Sequence, residues 1–422
     1  MDNKNTATTS RFSLFDICNY NANVDEKDYF VGIKYEDDIF KINFPLGYRK
    51  AETEQELRKD ILTLIKVLSL FNTENIAYIS KESLKDKKSV EFPIHAYLYI
   101  IRDFLSSGYY VEKEVTFEHG KTGKINWNKT IKQKKPVLND NDIVYLDFIT
   151  RKINYNENEL ISQIHCWCVY ESFNKLGWLF SSYKPIKPTL HFSKKLFLSV
   201  IKQKLSQTFN EKAIMLFNYM IDIIEQMDKS NGVHNFFYGT ENFAYIWECM
   251  VDNAFGVNDK QKYYPHIYWD IEGKTYSSDD TEYSKSALRP DSIMILNEKT
   301  SDQELFVLDS KYYRYGITKI PNHLPMSGSI IKQIAYAQFI DKNENEGKLD
   351  KSKTIYNAFI LPYEAQKNEE TIKYVGTATT DYTIGDKPYY KIKAILIDTK
   401  YLMSHYYKDK EWCELLGNEI KK

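Results

Sequence analysis

The sequence predicts an α/β protein whose C-terminal part forms one mixed β-sheet flanked by helices. Four apolar segments with strand-like composition occur in the last third of the chain: SIMIL, LFVLD, IYNAFIL and KIKAILID. Two segments with apolar residues at helical spacing, residues 241–256 and 329–340, alternate with these strands. Because strands and helices alternate along the chain, a single layered α/β core is the architecture that the pattern favours.

Two further regions precede this core. The segments YFVGIKY and DIFKINFPL are strand-like, and in the helix that follows them Thr53 and Glu56 have the spacing of a capping box. Apolar residues recur at helical spacing over residues 160–176 and 211–227. We therefore expect a small α/β N-terminal domain that binds DNA or a partner (residues 1–150), a mainly helical middle region (151–235) and a C-terminal domain (236–422). Residues up to about 25 are polar and are expected to be loose.

Composition and charge limit the classes of protein to which the chain can belong. Its net charge is −1 and its pI is about 6.7, so any contact with DNA must come from local patches. The five cysteines include no CxxC pair, which argues against a disulfide framework and against a structural zinc site. No apolar run reaches about 18 residues and the N-terminus has no apolar signal segment, so we expect a cytoplasmic protein without a membrane partner.

The most informative motif lies between residues 289 and 313, where two predicted strands each carry a carboxylate. Pro290-Asp291 opens the first strand, and the second strand ends in Asp309-Ser310-Lys311. Side chains alternate between faces along a strand, so Asp309 and Lys311 point the same way, and an antiparallel hairpin would place Asp291 beside them. Two such carboxylates can hold Mg²⁺ (or Mn²⁺), which polarises a phosphodiester and helps to ionise an attacking water. The lysine has the charge to orient that water.

A short D-x-K sequence is weak evidence by itself, and the alternative is a surface strand with a solvated ion pair. The apolar run FVL directly before Asp309 favours a buried strand, and buried strands rarely end in an unpaired carboxylate. The arrangement resembles the core of PD-(D/E)XK nucleases, whose motif positions are filled by Pro290, Asp291, Asp309, Ser310 and Lys311. The resemblance implies a metal-dependent nuclease with Asp291 and Asp309 as metal ligands and Lys311 as a catalytic residue.

The helices on either side of the motif supply further candidates. Nucleases of this class often take another acidic ligand from the helix before the first catalytic strand, which implies Glu248 as a third catalytic and metal-binding acid. On the helix after the motif, Gln333 is a candidate for orienting the water or contacting a phosphate, and Lys332 for contacting a phosphate. The alternatives are an exposed helix glutamate and an ordinary helix-surface glutamine.

A lysine-rich run over residues 121–135 is the candidate DNA-binding surface. It contains six lysines, no acid and one tryptophan, and a loop or hairpin of this composition can follow a DNA backbone by charge attraction. The alternative is a solvated basic face with the tryptophan packed into the core. The candidate DNA-binding residues are Lys121, Lys124, Trp127, Lys129 and Lys132.

Segments spread over most of the chain resemble the LlaJI family of restriction endonucleases. They are FPLGYRKAETEQELRKDIL, GKINWNKTIKQKKP, LISQIHCWCVYESFNKLGWLF, IWECMVDNAFG, RPDSIMIL, VLDSKYYRYG and SIIKQIAYAQ. The resemblance implies an endonuclease of a restriction-modification system that acts on double-stranded DNA. It also implies similarity to McrC-type subunits and a GTP-hydrolysing AAA+ partner of the McrB type. The sequence has no Walker A motif, so nucleotide-driven translocation would have to come from that partner.

The function that these observations favour is Mg²⁺-dependent hydrolysis of DNA phosphodiesters, as in a type II or McrBC-like restriction endonuclease. Cutting both strands usually needs two active sites, which a homodimer on DNA would supply. One alternative is a non-catalytic DNA- or protein-binding subunit with a nuclease-like fold, and another is a nuclease that acts on RNA or on DNA ends in repair. The intact set of Asp291, Asp309 and Lys311 argues against the first alternative.

Overall fold

The computed structural model describes residues 13–20, 30–36, 39–71, 90–139, 142–156, 159–180, 183–229, 236–277 and 288–422. The chain divides into two compact units. The core unit comprises Met1–Val90 and Asn235–Lys422, and the inserted unit comprises Glu91–His234. The inserted unit therefore interrupts the core unit in the sequence. Most of residues 1–25, which were expected to be loose, lie outside the described ranges.

The N-terminal part of the core unit consists of short strands and one long helix. The elements are β1 (Cys18–Asn19), β2 (Val31–Glu36), β3 (Ile39–Asn43), α1 (Glu54–Phe71) and the two-residue strand β4 (Val90–Glu91), whose second residue is the first of the inserted unit. The capping interaction predicted at the start of α1 is confirmed, because Thr53 Oγ1 accepts a hydrogen bond from the backbone N–H of Glu56. The carboxylate of Glu56 in turn accepts from the backbone N–H of Glu52.

The inserted unit combines helices with two small antiparallel sheets. Its elements are α2 (Ile94–Ser107), β5 (Glu112–His119), β6 (Lys124–Ile125), α3 (Trp127–Gln133), β7 (Val137–Asn139), β8 (Asp142–Val144), β9 (Ile149–Asn156), α4 (Leu160–Leu176), α5 (Lys194–Gln207) and α6 (Glu211–Lys229). One sheet has the strand order β5–β9–β6 and the other pairs β7 with β8. The two long helices predicted from apolar spacing are confirmed as α4 and α6.

The C-terminal part of the core unit contains the mixed sheet that the sequence predicts. Its elements are β10 (Phe236–Thr240), α7 (Phe243–Phe255), β11 (Tyr268–Ile271), β12 (Lys274–Ser277), β13 (Ser292–Leu296), β14 (Glu304–Ser310), α8 (Tyr315–Thr318), α9 (Ser327–Asn345), β15 (Thr354–Tyr363), β16 (Ile372–Ala378), β17 (Ile392–Asp398), α10 (Thr399–Ser404) and α11 (Lys410–Lys421). The strand order is β13–β14–β15–β17–β16. The central strands β14, β15 and β17 are parallel, and the two outer strands run antiparallel to them. The edge strand β16 was not predicted from the sequence.

Helices cover both faces of this sheet. Leu305 and Val307 of β14 pack with Tyr336 of α9, whereas Phe306, which points to the opposite face, lies against Gly417 of α11. Because β14 is buried on both faces, its sequence is a continuous apolar run rather than an alternating one. Among the helices in the described ranges, none combines the length and apolar character needed to cross a bilayer.

A second sheet joins the two sequence segments of the core unit. Its strand order is β1–β3–β2–β10–β4, and β10 pairs antiparallel with β2 so that Gly239 lies opposite Gly32. A Cβ atom on either glycine would collide with the backbone of the other strand, so this close pairing requires both glycines. The compact unit thus joins residues 1–90 to the C-terminal part, whereas the sequence suggests one N-terminal domain over residues 1–150. The difference arises because β2 and β10 pair across more than 200 residues of sequence, and such long-range pairing leaves no trace in local periodicity.

Candidate active site

The hairpin of β13 and β14 brings Asp291 and Asp309 together at one end of the mixed sheet. The two strands pair antiparallel, with Ser292 opposite Leu308, so Asp291 lies beside Asp309. The backbone N–H of Ser310 donates to Asp291 Oδ2 at 2.7 Å, which fixes this carboxylate against the end of β14. The pairing that the sequence motif predicts is therefore present, and it depends on the register of a single hairpin.

Lys311 and Asp309 form a close ion pair that is largely buried. Lys311 Nζ lies 2.5 Å from Asp309 Oδ2, and the two side chains are only 20% and 12% exposed. This exclusion from water contradicts the alternative in which the two residues form a solvated surface ion pair. Burying two charges is costly unless they are paired or hold an ion, so the arrangement is unusual for a purely structural strand end.

The electrostatics of the site oppose ionisation of both aspartates. Burial, followed by the charges of Asp309 and Glu248, raises the pKa of Asp291 to about 7. Burial also raises the pKa of Asp309, although Lys311 partly offsets this effect. For Lys311 itself, burial lowers the pKa, but the two aspartates outweigh burial and the net pKa is raised. The site thus contains clustered carboxylates that would gain from a neighbouring cation.

Lys260 is a residue of this site that the sequence analysis missed. It lies in the short 3₁₀ helix Lys260–Tyr263, and its ammonium donates at 2.6 Å both to Asp252 Oδ2 on α7 and to the carbonyl oxygen of Asp291. The lysine therefore links α7 to Asp291, the residue directly before β13. No local sequence pattern indicates this role, because the three residues are brought together by the fold alone.

Glu248 lies on α7 and is partly buried near the hairpin. Burial raises its pKa, and the charges of Lys311 and Asp309 both act on it. These effects do not support the alternative of an ordinary exposed helix glutamate. However, in the described ranges no three His, Cys, Asp or Glu side chains form a group that could hold a metal ion by themselves. A role for Glu248 as a third metal ligand stays a prediction.

Gln333 lies on α9, and its fully buried side chain joins this helix to the mixed sheet. Its side-chain amide donates to the carbonyl oxygens of Val307 on β14, at 2.7 Å, and of Ala358 on β15, at 3.4 Å. The alternative of a helix-surface glutamine is therefore wrong, and the contacts give Gln333 a structural role; a role in orienting water stays a prediction. Burial raises the pKa of Asp309, and the charge of the exposed Lys332 on the same helix partly offsets this rise, so Lys332 does act on the site.

The lysine-rich run forms an exposed surface of the inserted unit, on β6, α3 and the adjoining loops. Trp127 is 53% exposed and contacts the rings of Tyr145 and Phe148 at their edges, so the alternative of a tryptophan packed into the core is wrong. Lys129 Nζ lies 3.5 Å from the centre of the Phe117 ring. The strand pairing also places Arg151 opposite Lys124, a basic residue of this surface that the sequence analysis missed.

A cavity of about 510 Å³ lies in the core unit, beside the residues that follow Lys311. We call it the aromatic cavity. Its wall includes Phe243 and Ala244 at the start of α7, Tyr312 and Tyr313, and Leu324. Sequence reasoning missed it because its wall is assembled from three distant parts of the chain. Leu46, from the N-terminal segment, contributes one side.

Comparison with known proteins places the chain in a family. A relative, the type II restriction enzyme BsuMI component YdjA of Bacillus subtilis (strain 168), is 26% identical over 291 residues, which are 65% of this chain and 58% of that protein. The chain thus spans less than two thirds of that relative. A solved half-complex from a tetradecameric assembly of Thermococcus gammatolerans McrB AAA+ hexamers with bound McrC contains a similar chain, with 14% identity and a TM-score of 0.38 over 93% of this chain and 83% of that one. The model of the LlaJI restriction endonuclease family matches residues 30–400, and this chain therefore belongs to that family.

Proposed function

We propose that this chain is the nuclease subunit of a restriction-modification system and hydrolyses phosphodiesters of double-stranded DNA at a PD-(D/E)XK core. The observation that carries the proposal is the convergence of Asp291, Asp309 and Lys311 in a buried cluster at the end of β13 and β14. Membership of a restriction endonuclease family supports the same reaction.

The donor atoms of the cluster fit a hard divalent cation such as Mg²⁺ or Mn²⁺. The two converging side chains offer only carboxylate oxygens, which are the ligands that Mg²⁺ prefers. The raised pKa values of both aspartates point the same way, because a bound cation would stabilise their ionised forms. Asp291 and Asp309 would hold the ion, and Glu248 is the nearest candidate for a third ligand. When bound, the ion would polarise the phosphodiester and make a bound water more acidic.

The side chains of the cluster would act on the substrate in distinct ways. Lys311 carries its ammonium into the cluster, where it can hold the attacking water or balance the charge that develops on the phosphate. Lys260 keeps the main chain of Asp291 in place, so that the carboxylate stays aligned with Asp309. The aspartates must be ionised to hold a cation, so we expect activity to increase with pH through the range in which Asp291 loses its proton.

The basic surface of the inserted unit is proposed to position the DNA. Lys121, Lys124 and Lys132 are exposed there together with the half-exposed Trp127. Contacts of this kind bind phosphates and stack on sugars or bases, but they do not read sequence. Recognition of a sequence would then come from another part of the chain or from a partner.

We also propose that the chain works with other subunits. The relative from Bacillus subtilis is described as a component, which supports a system with several subunits. An AAA+ GTPase of the McrB type is the proposed partner for translocation, because this sequence has no Walker A motif of its own. A homodimer on DNA would supply the two active sites needed to cut both strands.

Asp309→Ala tests the proposed reaction directly. We expect the variant to lose cleavage of unmethylated plasmid DNA in Mg²⁺ by about 10³-fold or more, while its circular dichroism spectrum and its DNA binding are retained. EDTA should abolish wild-type cleavage. The assay is run with and without GTP and the protein encoded by the neighbouring gene, so that the dependence of cleavage on a partner is measured in the same experiment.

The control for this experiment is Asp302→Asn, which removes an exposed carboxylate that pairs with Lys353 at the far end of the same hairpin. We expect this variant to cut at the wild-type rate. If the Asp309→Ala variant still cuts DNA at the wild-type rate, the assignment of Asp309 to the active site is wrong. A wild-type chain that binds DNA under every condition without cutting it would favour the binding-subunit alternative.

A further inference from the structure

The aromatic cavity is not used by the proposed hydrolysis, yet it is built next to the candidate active site. Its volume of about 510 Å³ lies within the range of small-molecule pockets, roughly 300–1,000 Å³. The wall is more apolar than polar and includes the rings of Phe243, Tyr312 and Tyr313. A cavity of this size and character can enclose one planar aromatic group.

Two elements connect the cavity to the catalytic cluster. Tyr312 and Tyr313 follow Lys311 directly, so the cavity wall begins at the next residue after the catalytic motif. On α7, Ala244 lines the cavity and Glu248 lies one turn further on the same face, about 6 Å along the helix axis. This separation corresponds to about two nucleotides along a B-form strand, which rises 3.4 Å per nucleotide.

The wall is fixed before any ligand arrives. The backbone N–H of Leu46 donates to Tyr312 Oη at 2.5 Å, and the rings of Tyr312 and Phe243 contact each other with their centres 5.4 Å apart. His323 is held in place by a 2.7 Å hydrogen bond between its Nδ1 and Thr318 Oγ1. A rigid aromatic wall favours a flat ligand over a flexible aliphatic one, because the ligand meets preformed ring surfaces.

The polar groups of the wall match the edge of a nucleobase. Glu241 accepts hydrogen bonds, and Asn242 and Asn322 carry amides that both donate and accept, as the edges of bases do. The start of α7 lies at this wall, because Asn242, Phe243 and Ala244 line the cavity, and the side chain of the N-cap residue Asn242 makes no capping hydrogen bond. The first backbone N–H groups of a helix have no acceptor within the helix itself. Such N–H groups suit the phosphate attached to a base.

The geometry points to a specific ligand: the aromatic cavity receives a nucleobase that is unstacked from the DNA near the bond to be cut. This inference rests on the proposed nuclease function. Enzymes that do chemistry on a base of DNA extrude the nucleotide into a pocket of stacking and hydrogen-bonding side chains, at the cost of breaking its stacking, and the same contacts can hold a base beside a bond to be cut. The extruded base would anchor the strand beside Asp309 and Lys311.

The first test measures binding of the four deoxynucleoside 5′-monophosphates to the full chain by calorimetry. We expect binding to the wild type, no detectable binding to Ala244→Trp, which fills the cavity, and about tenfold weaker binding to Leu324→Ala, which removes part of the wall. If Ala244→Trp fails to fold, Leu324→Ala still tests whether binding depends on the cavity. The control is Tyr245→Trp, a neighbouring exposed position outside the cavity wall, which should bind like the wild type.

The second test asks whether the ligand is a base of DNA or a free nucleotide. Bound plasmid fragments in Ca²⁺ are treated with permanganate, which oxidises unstacked thymines, with chloroacetaldehyde, which modifies unstacked adenines and cytosines, and with kethoxal, which modifies unpaired guanines. We expect one reactive position per bound site in the wild type and in Tyr245→Trp, and at least about fivefold less reactivity in the two cavity variants.

The outcomes separate this inference from the proposed function. Cavity-dependent reactivity without cleavage would support the inference and count against the nuclease. Cleavage without a reactive base would overturn the inference and leave the nuclease standing. Monophosphate binding without any unstacked base in DNA would also overturn it, because the cavity would then be a site for free nucleotides.

Discussion

At the scale of single residues, Asp291 is a carboxylate of the candidate site whose ionisation the fold opposes. Its pKa is raised to about 7, chiefly by burial and then by Asp309 and Glu248. An aspartate in the unfolded chain has a pKa of about 3.9, so between about pH 4 and pH 7 the folded state holds a proton that the unfolded state has lost. The free energy of unfolding of the metal-free protein therefore falls as pH rises through this range.

Asp291→Asn removes this pH dependence. In EDTA at pH 8 we expect the variant to be more stable than the wild type by about 1–3 kcal/mol, because the asparagine is never ionised yet can still accept from the N–H of Ser310. At pH 5 the difference should shrink. Urea unfolding at both pH values measures it, and a wild type whose stability rises from pH 5 to pH 8 while the variant's does not would contradict the assignment.

Lys260→Met tests the lysine that holds the start of the hairpin. The variant loses two charge-assisted hydrogen bonds, to Asp252 and to the carbonyl of Asp291, and we expect it to lose about 1–3 kcal/mol of stability together with part of its nuclease activity. Thermal unfolding and plasmid cleavage measure the two effects.

Lys262→Met is the matched control, because Lys262 lies two residues from Lys260 and makes an exposed ion pair with Asp259. Exposed ion pairs contribute little to stability, so we expect the free energy of unfolding of Lys262→Met to change by less than about 1 kcal/mol and its rate of DNA cleavage to stay unchanged. Equal losses in the two variants would mean that Lys260 acts as an ordinary surface lysine.

At the scale of elements, Gln333 ties α9 to the two central strands of the mixed sheet. Its amide donates to carbonyls of β14 and β15, and the backbone carbonyl of Gln333 accepts from the Asn357 side chain at 3.1 Å. Asn357 donates further to the carbonyl of Tyr389. These hydrogen bonds cross the helix–sheet interface at a level just below the candidate active site.

Gln333→Met and Gln333→Ala separate a structural role from a catalytic one. Methionine has a volume similar to that of glutamine, so we expect Gln333→Met to lower the free energy of unfolding by less than about 1.5 kcal/mol and to cut DNA within about threefold of the wild-type rate. Alanine leaves a cavity, so we expect Gln333→Ala to lower the free energy of unfolding by about 2–4 kcal/mol. Chemical unfolding and initial cleavage rates are compared. A methionine variant that stays folded but no longer cuts would show that the predicted catalytic role of Gln333 is correct.

At the scale of the whole molecule, the N-terminal segment completes the core unit. The backbone N–H of Leu46 donates a hydrogen bond to Tyr312 Oη, and the carbonyl oxygen of Leu46 accepts one from Thr399 Oγ1. Lys400 donates to Glu56 at 2.6 Å and to Asp60 at 2.7 Å on α1. The C-terminal part of the core unit is therefore held by residues that lie between 266 and 353 positions earlier in the sequence.

A fragment of residues 236–422, the predicted nuclease domain, should fail to unfold cooperatively. Removing the N-terminal segment leaves Lys400 without Glu56 and Asp60 and exposes apolar surface that α1 and β2 cover. The comparison is a chain in which residues 1–90 are joined to 235–422 by a short Gly-Ser linker, which should show a single thermal transition by circular dichroism. A fragment with the same transition as the linked chain would mean that the C-terminal part folds alone.

Much of the local structure follows from sequence pattern alone. The strands β13, β14, β15 and β17 and the helices α4, α6, α7 and α9 are visible as apolar runs or helical spacing, because each of these elements buries a face against the core. The edge strand β16 was missed because it is only partly buried, so its sequence lacks a strong apolar signal. The motif residues Asp291, Asp309 and Lys311 could be named because alternation along a strand fixes which side chains share a face.

By itself, the sequence therefore determined the family, the α/β class and the three charged residues of the candidate site, since all of these are properties of short segments or of their order. Only the tertiary structure decided that Asp291 and the Asp309–Lys311 pair are buried, that Lys260 holds the hairpin and that Leu46 closes the aromatic cavity. The physical reason is that burial, pKa shifts and cavities arise from contacts between distant segments, and those contacts form only when the whole core unit packs.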